Sequence, residues 1–186
     1  MIALSGGSDS TALLSLARDV LSAETGSGRL VAATVDHGLR AESAAEARRC
    51  ADLCGSLGIA HVILRWDGDK PATGVQTAAR AARYRLLAGE AAGGIVLTGH
   101  TLDDQLETVA MRRARGPGRG LSGIAPATLF EGGTWFVRPL LALRRGALRD
   151  HLAAAGLGWI EDPSNRDRRF ERVRVRESAA GEDADE

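Results

Sequence analysis

The fold of this chain is decided by residues 4–11, Leu4-Ser5-Gly6-Gly7-Ser8-Asp9-Ser10-Thr11. They separate a short apolar run, typical of a buried strand, from a helical pattern that extends to Leu21. Gly6 and Gly7 allow backbone angles at which consecutive N–H groups converge on one point. The start of the helix adds unpaired N–H groups and a partial positive charge. This stretch therefore predicts a turn that binds a phosphate or pyrophosphate group.

An ordinary helix start is the alternative explanation of this turn, because serine and aspartate favour such positions. The turn also lacks the lysine of the G-x-x-x-x-G-K-[ST] phosphate loop. The complete S-G-G-x-D-S pattern after a strand is more specific, and it resembles the pyrophosphate loop of the PP-loop ATP pyrophosphatase superfamily. Members of that superfamily cleave ATP between its α- and β-phosphates. A carboxylate at Asp9 is repelled by phosphate unless a cation bridges the two, so we expect Mg²⁺ there.

Up to residue 114 the chain alternates between apolar runs and helical patterns. This alternation predicts an α/β fold with a doubly wound, mostly parallel sheet, which binds ligands beyond the carboxyl ends of its strands. Strands are predicted at residues 1–5, 30–35, 61–66 and 95–98, and helices at 11–23, 42–57, 75–92 and 102–113.

The pattern changes after residue 114. We predict a flexible basic loop at 115–120, a hairpin of short strands within 124–142 that turns at Gly132-Gly133, and a helix at 144–155. Residues 167–176 are predicted as a basic segment, either helix or strand. The expected organisation is a nucleotide-binding core at 1–114, a small helical and hairpin extension of the same domain at 115–176, and a disordered acidic tail at 177–186.

Polar residues follow two further predicted strands. Asp36 and His37 come directly after the second strand, and His100 follows the fourth. Because the carboxyl ends of parallel strands meet at one edge of a sheet, we expect these residues near the turn at 5–10. Asp36 could bind a ribose hydroxyl or a metal, although an aspartate that caps a turn before Gly38 explains it equally well.

The start of the fourth predicted helix carries several ionisable groups, namely His100, Asp103, Asp104 and Glu107. Asp104 lies three residues after Thr101, as in a capping box, and this explains one of the acidic residues but not the others. Carboxylates here suit Mg²⁺ that also contacts phosphates. A histidine beside a phosphate can donate to an oxyanion or move a proton.

Two arginines of the third predicted helix, Arg80 and Arg83, lie one turn apart on the same face. Two adjacent guanidinium groups repel each other unless an anion lies between them, and a substrate phosphate would serve. Solvated surface arginines are the alternative explanation.

The overall composition excludes some classes of function. The formal net charge is zero, with 23 arginines and one lysine, so we expect no general attraction to nucleic acid, although arginine clusters leave local basic patches. No apolar run approaches the ~20 residues of a membrane span, so we expect a cytoplasmic protein without a membrane partner. Cys50 and Cys54 lack a second ligand pair for zinc and are expected to be reduced residues of a helix face.

Six sequence motifs between residues 1 and 176, by their order and spacing, resemble those of the N-terminal catalytic domain of the tRNA(Ile)-lysidine synthetase family. They are Ser5-Gly6-Gly7-Ser8-Asp9-Ser10, Val35-Asp36-His37-Gly38-Leu39-Arg40, Ala79-Arg80-Ala81-Ala82-Arg83-Tyr84, Thr98-Gly99-His100-Thr101-Leu102-Asp103-Asp104-Gln105-Leu106-Glu107-Thr108, Arg138-Pro139-Leu140-Leu141 and Glu161-Asp162-Pro163-Ser164-Asn165. The resemblance implies that ATP adenylates the C2 carbonyl oxygen of the wobble cytidine in the CAU anticodon of tRNA(Ile). Free L-lysine then attacks C2 and releases AMP. ATP and Mg²⁺ are the implied cofactors, and tRNA(Ile) and lysine the implied partners.

By motif position, the resemblance assigns catalytic or substrate-contacting roles to Asp9, Arg80, His100, Asp104 and Arg172. Asp9 and Asp104 are expected to bind the metal or the lysine ammonium group. Arg80 and Arg172 are expected to contact phosphate or tRNA, and His100 to steady the nucleotide or the adenylated intermediate. The nucleotide is expected to bind at Ser5, Gly6, Gly7, Ser8, Asp9, Ser10, Asp36 and His37.

Two other functions compete with this interpretation. A PP-loop tRNA thiolase uses the same adenylation but attacks with sulfur, and such enzymes normally need cysteines near the active site. Cys50 and Cys54 are expected on the second helix, away from the strand ends, which argues against thiolation. A non-catalytic fragment that binds ATP or tRNA is the second competitor, because family members often carry further domains that hold the tRNA. The sequence leaves a homodimer open.

Overall fold

The computed structural model describes residues 1–23, 30–114 and 122–161. Its strands are β1 (Ile2–Ala3), β2 (Val31–Asp36), β3 (Ala60–Arg65), β4 (Ile95–Leu97), β5 (Ala127–Leu129) and β6 (Trp135–Val137). Its helices are α1 (Ser8–Ala23), α2 (Ser43–Ser56), α3 (Val75–Ala91), α4 (Leu102–Ala114) and α5 (Arg145–Ala154). None of these helices is long and apolar enough to cross a membrane.

The six strands form one sheet in the order β3-β2-β1-β4-β6-β5. Strand β1 lies near the centre, where Ile2 pairs with Ala32 of β2 and with Leu97 of β4. Every neighbouring pair is parallel except β5 with β6. The prediction of a doubly wound, mostly parallel sheet is therefore confirmed.

Side chains alternate between the two faces of the sheet, and each face is covered by helices. Ile2 and Leu4 pack in a buried cluster with residues of α1, α2 and α5. Ala3 packs in a second cluster with Leu87 of α3 and Phe136 of β6. This alternation at the central strand is why both faces need a helical layer.

The first helix begins three residues earlier than predicted. Ser8 and Asp9 are already helical, and the amide of Thr11 donates to the carbonyl oxygen of Gly7 at 3.0 Å, which closes the first turn. Strand β1 is correspondingly short, although the Leu4 amide still bonds to Ala33 at 2.9 Å. The phosphate-binding turn is thus tighter than the sequence pattern indicated.

The predicted hairpin is present, and it joins the main sheet. Its turn is a short 3₁₀ segment, Glu131–Gly133, in which Gly132 and Gly133 have φ of 79° and 85°. Strand β6 pairs in parallel with β4, and β5 adds the antiparallel edge. The predicted basic loop at 115–120, the basic segment with Arg172 and the acidic tail lie outside the described residues.

Candidate functional site

Residues 5–10, called here the phosphate loop, follow β1 between the ends of β2 and β4. The loop packs directly against Gly99, since a Cβ added there would lie 2.9 Å from backbone atoms of Asp9 and Ser10. Asp36 ends β2, and His100 follows β4. The structure therefore places all three strand-end groups at one edge of the sheet.

The phosphate loop is supported from behind by the segment after α5. The amide of Ile160 donates to the carbonyl oxygen of Gly6 at 2.8 Å. Gly6 has a φ of 83°, and a Cβ there would lie 2.6 Å from Cδ1 of Ile160 and 3.0 Å from Sγ of Cys50. Only glycine fits this position without strain.

Two hydroxyl groups, one of them on Ser10, which was expected to bind the nucleotide, hold the loop together. The Ser10 hydroxyl donates to the carbonyl oxygen of Gly7 at 3.1 Å and accepts the Ser5 amide at 3.2 Å. The buried Thr11 hydroxyl donates to Gly6 at 3.3 Å. The Ser5 hydroxyl itself lies 3.1 Å from the Ser10 hydroxyl, so the backbone N–H groups of the loop are the donors suited to an anion.

A cluster of three carboxylates, Asp9, Asp104 and Glu107, surrounds the guanidinium group of Arg145. Its Nε lies 2.9 Å from Asp9 Oδ2, its Nη2 3.3 Å from Asp104 Oδ1 and its Nη1 3.7 Å from Glu107 Oε1. Burial lowers the pKa of Arg145, but the hydrogen bond to Asp9 and the three negative charges outweigh it and raise this pKa overall. Acidic residues of two elements thus share one cation.

Asp104 both caps the start of α4 and belongs to the carboxylate cluster around Arg145. Its Oδ2 accepts the amide of Thr101 at 2.8 Å, and the Thr101 hydroxyl oxygen accepts the Asp104 amide at 3.4 Å, as in a capping box. Its Oδ1 faces Arg145. Asp103 instead accepts the backbone amide of Arg145 at 2.7 Å, so it caps the start of α5.

His100 is held neutral beside the carboxylate cluster. Its Nδ1 lies 3.0 Å from the hydroxyl oxygen of Thr98. Burial lowers the pKa of His100 to about 4, against the opposing charge of Asp104 and with further lowering by the charges of Arg138, Arg80 and Arg83. At neutral pH this imidazole can therefore donate or accept a hydrogen bond but carries no charge.

Arg80 and Arg83 differ in environment. Arg80 is exposed, donates to the Tyr84 hydroxyl at 3.1 Å and lies 4.9 Å from the centre of its ring. Arg83 is partly buried, and burial lowers its pKa. The solvated-surface explanation therefore fails for Arg83, while Arg80 remains free to contact a ligand without leaving Tyr84.

Asp36 caps the turn after β2. Its Oδ1 accepts the Gly38 amide at 2.9 Å and the Ser43 hydroxyl at 2.7 Å. Burial raises the pKa of Asp36, but these hydrogen bonds and the charges of Arg65 and His37 lower it overall. Of the two roles weighed from sequence, the structure shows the turn cap.

A pocket of 310 Å³ opens beyond β1 and β2, lined among others by Ser5, Val35, His37 and Arg83. The ring of His37 meets Trp66 edge to face, with 6.1 Å between centroids, and burial lowers the pKa of His37. The volume falls at the small end of ligand pockets, about 300–1,000 Å³. Mixed apolar and basic lining suits a nucleoside with attached phosphates.

The expectation that both cysteines lie away from the strand ends is wrong for Cys50. Helix α2 carries its sulfur to the back of the phosphate loop, behind Gly6. Both thiols are free and buried. Burial raises the pKa of Cys50, and it raises the pKa of Cys54 to about 11. Both lie on the buried face of α2, and a thiol with a raised pKa is a poor nucleophile, while their reduced state stays a prediction.

Two side chains of the cluster, Asp9 and Asp104, are the ones that could share a cation. Within residues 1–23, 30–114 and 122–161, no group of three or more His, Cys, Asp or Glu side chains is arranged to hold a metal. Asp9 and Asp104 each turn one oxygen toward the same point, where Arg145 lies. One or two carboxylates with phosphate and water oxygens are the usual ligands of Mg²⁺.

Arg145 is the site residue that sequence reasoning missed. It lies 136 residues from Asp9 along the chain, in a segment interpreted only as an amphipathic helix. One signal was available: a positive side chain is unfavourable at a helix N-terminus. Its presence at the first position of α5 indicates an anionic partner elsewhere.

Comparison with known proteins shows which family the chain belongs to. It is 55% identical to the tRNA(Ile)-lysidine synthase of Mesorhizobium japonicum over 98% of its length, and 50% identical to that of Brucella ovis over 97%. The chain spans 42% of the length of each of these relatives. In fold it resembles the U34-tRNA thiolase NcsA from Methanococcus maripaludis, with a TM-score of 0.78 at 16% identity over 97% of this chain and 64% of that one. A family model described as a PP-loop domain matches residues 1–182, and the chain belongs to the PP-loop domain family.

Proposed function

We propose that this chain is the ATP-using catalytic part of a tRNA(Ile)-lysidine synthase. The observation that carries the proposal is the meeting of the phosphate loop, His100 and the carboxylate cluster at the carboxyl edge of one sheet. The high identity to lysidine synthases over nearly the whole chain supports the same reaction. The reaction would occur in the cytoplasm, where tRNA, ATP and lysine are available together.

The first step would join the C2 carbonyl oxygen of the wobble cytidine to the α-phosphorus of ATP and release pyrophosphate. The phosphate loop would hold the phosphates through its backbone N–H groups and the positive end of α1. The pocket beside Ser5 would take the nucleoside, with His37 and Arg83 at its wall. His100, uncharged at neutral pH, would hydrogen-bond a phosphate oxygen or the adenylated cytidine.

Magnesium would supply positive charge between the phosphates and the protein. Asp9 and Asp104 are the residues that would hold it. Arg80 would add a positive charge from the exposed face of α3, toward phosphate or RNA. Arg172, outside the described residues, is assigned a similar role by motif position alone.

The second step would bring the amine of free lysine to C2 and release AMP. The amine must attack as a neutral nucleophile, so the ammonium group first gives a proton to solvent or to a carboxylate of the cluster, and AMP then leaves with the former C2 oxygen. The carboxylate cluster suits an ammonium group, since it holds three acidic side chains around a single guanidinium. Glu107 lies deepest in this cluster and would help select a cationic substrate.

The test is incorporation of radiolabelled lysine into an unmodified tRNA(Ile) transcript with a CAU anticodon, in the presence of ATP and Mg²⁺. We expect incorporation with equal release of AMP, and loss of both in Asp104→Ala. Asp52→Asn, an exposed acid of α2, is the matched control and should retain activity. A transcript with uridine at the wobble position should remain unlabelled.

Two outcomes would favour the competing functions. Release of AMP that requires tRNA but not lysine would indicate another nucleophile, including sulfur. Binding of ATP and tRNA without any AMP would indicate a binding module. Self-association stays a prediction, and light scattering of the purified chain tests it.

A further inference from the structure

Arg145 occupies the space between the two carboxylates proposed as magnesium ligands. Asp9 belongs to the start of α1, Asp104 to the start of α4 and Arg145 to α5, so three separate elements meet there. The three side chains are only 20%, 13% and 16% exposed, respectively. Solvent therefore screens these ion pairs weakly, and Arg145 holds the two acids together.

The oxygens that Arg145 contacts are also the ones that a metal would need. Asp9 Oδ1 accepts the Ser8 hydroxyl at 3.0 Å, and Asp104 Oδ2 accepts the amide and hydroxyl of Thr101. Asp9 Oδ2 and Asp104 Oδ1 are the partners of Arg145. Asp9 Oδ2 and Asp104 Oδ1 are thus the oxygens not engaged by these neighbours, so a divalent cation shared by both acids would compete with Arg145 for them.

We propose that Arg145 is an exchangeable counter-cation: it positions Asp9 and Asp104 in the nucleotide-free protein and withdraws when the metal arrives. The inference rests on the magnesium site of the proposed function. The guanidinium group offsets part of the repulsion between the acids, so their geometry is set before ATP binds. Release of Arg145 then couples metal binding to a movement of the start of α5.

The neighbouring Arg144 provides a matched control. It has the same charge and lies one residue away, but its Nη1 lies 3.9 Å from Asp103 and its side chain is 57% exposed. Removing Arg144 changes the net charge near the site as much as removing Arg145 does. A difference between the two variants therefore reports the direct competition.

The experiment is calorimetric titration of the full chain with Mg²⁺, and separately with Mn²⁺, without nucleotide. We expect Arg145→Gln to bind either ion about tenfold more tightly than the unchanged protein, which corresponds to about 1.4 kcal/mol of competing ion-pair free energy. Arg144→Gln should change the affinity by less than about twofold. Equal or weaker binding by Arg145→Gln would overturn the inference while leaving the magnesium site intact. Absence of metal binding in all three proteins would also overturn the inference, because Arg145 would then have no metal to yield to before nucleotide binds.

A second measurement follows Mg²⁺ binding in the unchanged protein and needs a variant only to assign the signal. The Nε–H group of Arg145, hydrogen-bonded to Asp9, should give a protected arginine signal in ¹⁵N NMR, assigned by its loss in Arg145→Lys. Addition of Mg²⁺ should shift this signal and speed its exchange with solvent. A signal that stays unchanged while Mg²⁺ binds would show that Arg145 does not yield to the metal.

Discussion

At the scale of single residues, His100 shows how burial sets the chemistry of the site. Its Nδ1 is held by Thr98, which leaves Nε2 as the ring nitrogen not bonded to that hydroxyl. The positive charges of three nearby arginines disfavour protonation of the His100 ring. A neutral imidazole among arginines can approach phosphate as a directed hydrogen-bond partner, while the arginines provide the charge.

The pKa of about 4 at His100 predicts a pH-dependent loss of stability. The pKa of a histidine in the unfolded chain is about 6.5, so the unfolded state binds the proton first and the folded state loses stability as the pH falls from 6.5 toward 4. The loss is up to about 3 kcal/mol, because each pKa unit corresponds to 1.36 kcal/mol.

Urea unfolding at pH 7.5, 5.5 and 4.5 checks this prediction. His100→Gln should flatten the decline in free energy of unfolding, while the residual slope reports His37 and His61, whose pKa values burial also lowers. A His100 ring signal that titrates near pH 6.5 by NMR would contradict the buried, neutral state.

The two glycines of the phosphate loop should respond differently to alanine. Gly6→Ala places a methyl group against Ile160 and Cys50 at a positive φ, so we expect a loss of about 2–4 kcal/mol in the free energy of unfolding. Gly7→Ala meets only the Ser5 hydroxyl at 3.9 Å and should cost less than about 1 kcal/mol. Denaturant unfolding of the two variants measures the contrast. Similar losses would mean that Ile160 does not support the loop as described.

At the scale of elements, the extension after residue 114 is built into the sheet. Arg138 of this segment is buried, and it donates to the carbonyl oxygens of Ala125 and Phe136 at 2.8 and 3.3 Å and to the Thr128 hydroxyl at 3.0 Å. Arg138 thereby connects β5 and the residues just before it to β6. The phenyl ring of Phe136, 4.5 Å from Tyr84 between centroids, locks β6 against α3.

We therefore predict that Arg138→Met destabilises the protein by about 1–3 kcal/mol, because it removes the buried donor that joins the carbonyl oxygens of Ala125 and Phe136 and the Thr128 hydroxyl. It should also raise the pKa of His100, since the charge of Arg138 lowers it. Chemical unfolding and the NMR titration of His100 check the two effects. The exposed Arg85→Met on α3 should change neither. A stable variant with an unchanged His100 would show that Arg138 acts only as a surface charge.

The local sequence pattern predicted the helices and strands well, but it did not predict which distant residues pair. Every predicted strand and helix among the described residues is present, because apolar periodicity and glycine stops act over a few residues. The parallel pairing of β6 with β4 depends on contacts across 40 residues, from Ile95 to Trp135. The ion pair between Asp9 and Arg145 is likewise invisible to any local rule.

At the scale of the whole molecule, the phosphate loop is clamped between distant parts of the chain. Gly99 supports it from the segment after β4, Arg145 holds Asp9 from α5, and Ile160 bonds to Gly6 from the segment after α5. The interaction with Ile160 joins residues 154 positions apart. Because of this bond, we expect a ligand that orders the loop also to order the chain around Ile160.

This coupling predicts that nucleotide binding slows hydrogen exchange at Ile160. A non-hydrolysable ATP analogue with Mg²⁺, at about 100 times its dissociation constant, stabilises the folded protein that binds it by up to about 2.7 kcal/mol. The Ile160 amide should therefore exchange at least about tenfold more slowly. The amide of Leu157 bonds to Leu152 at the end of α5 rather than to the loop, and it serves as the internal control. We expect its exchange to change much less. Equal protection of both amides would indicate global stabilisation, and protection at Gly7 without protection at Ile160 would show that the loop binds nucleotide independently of this segment.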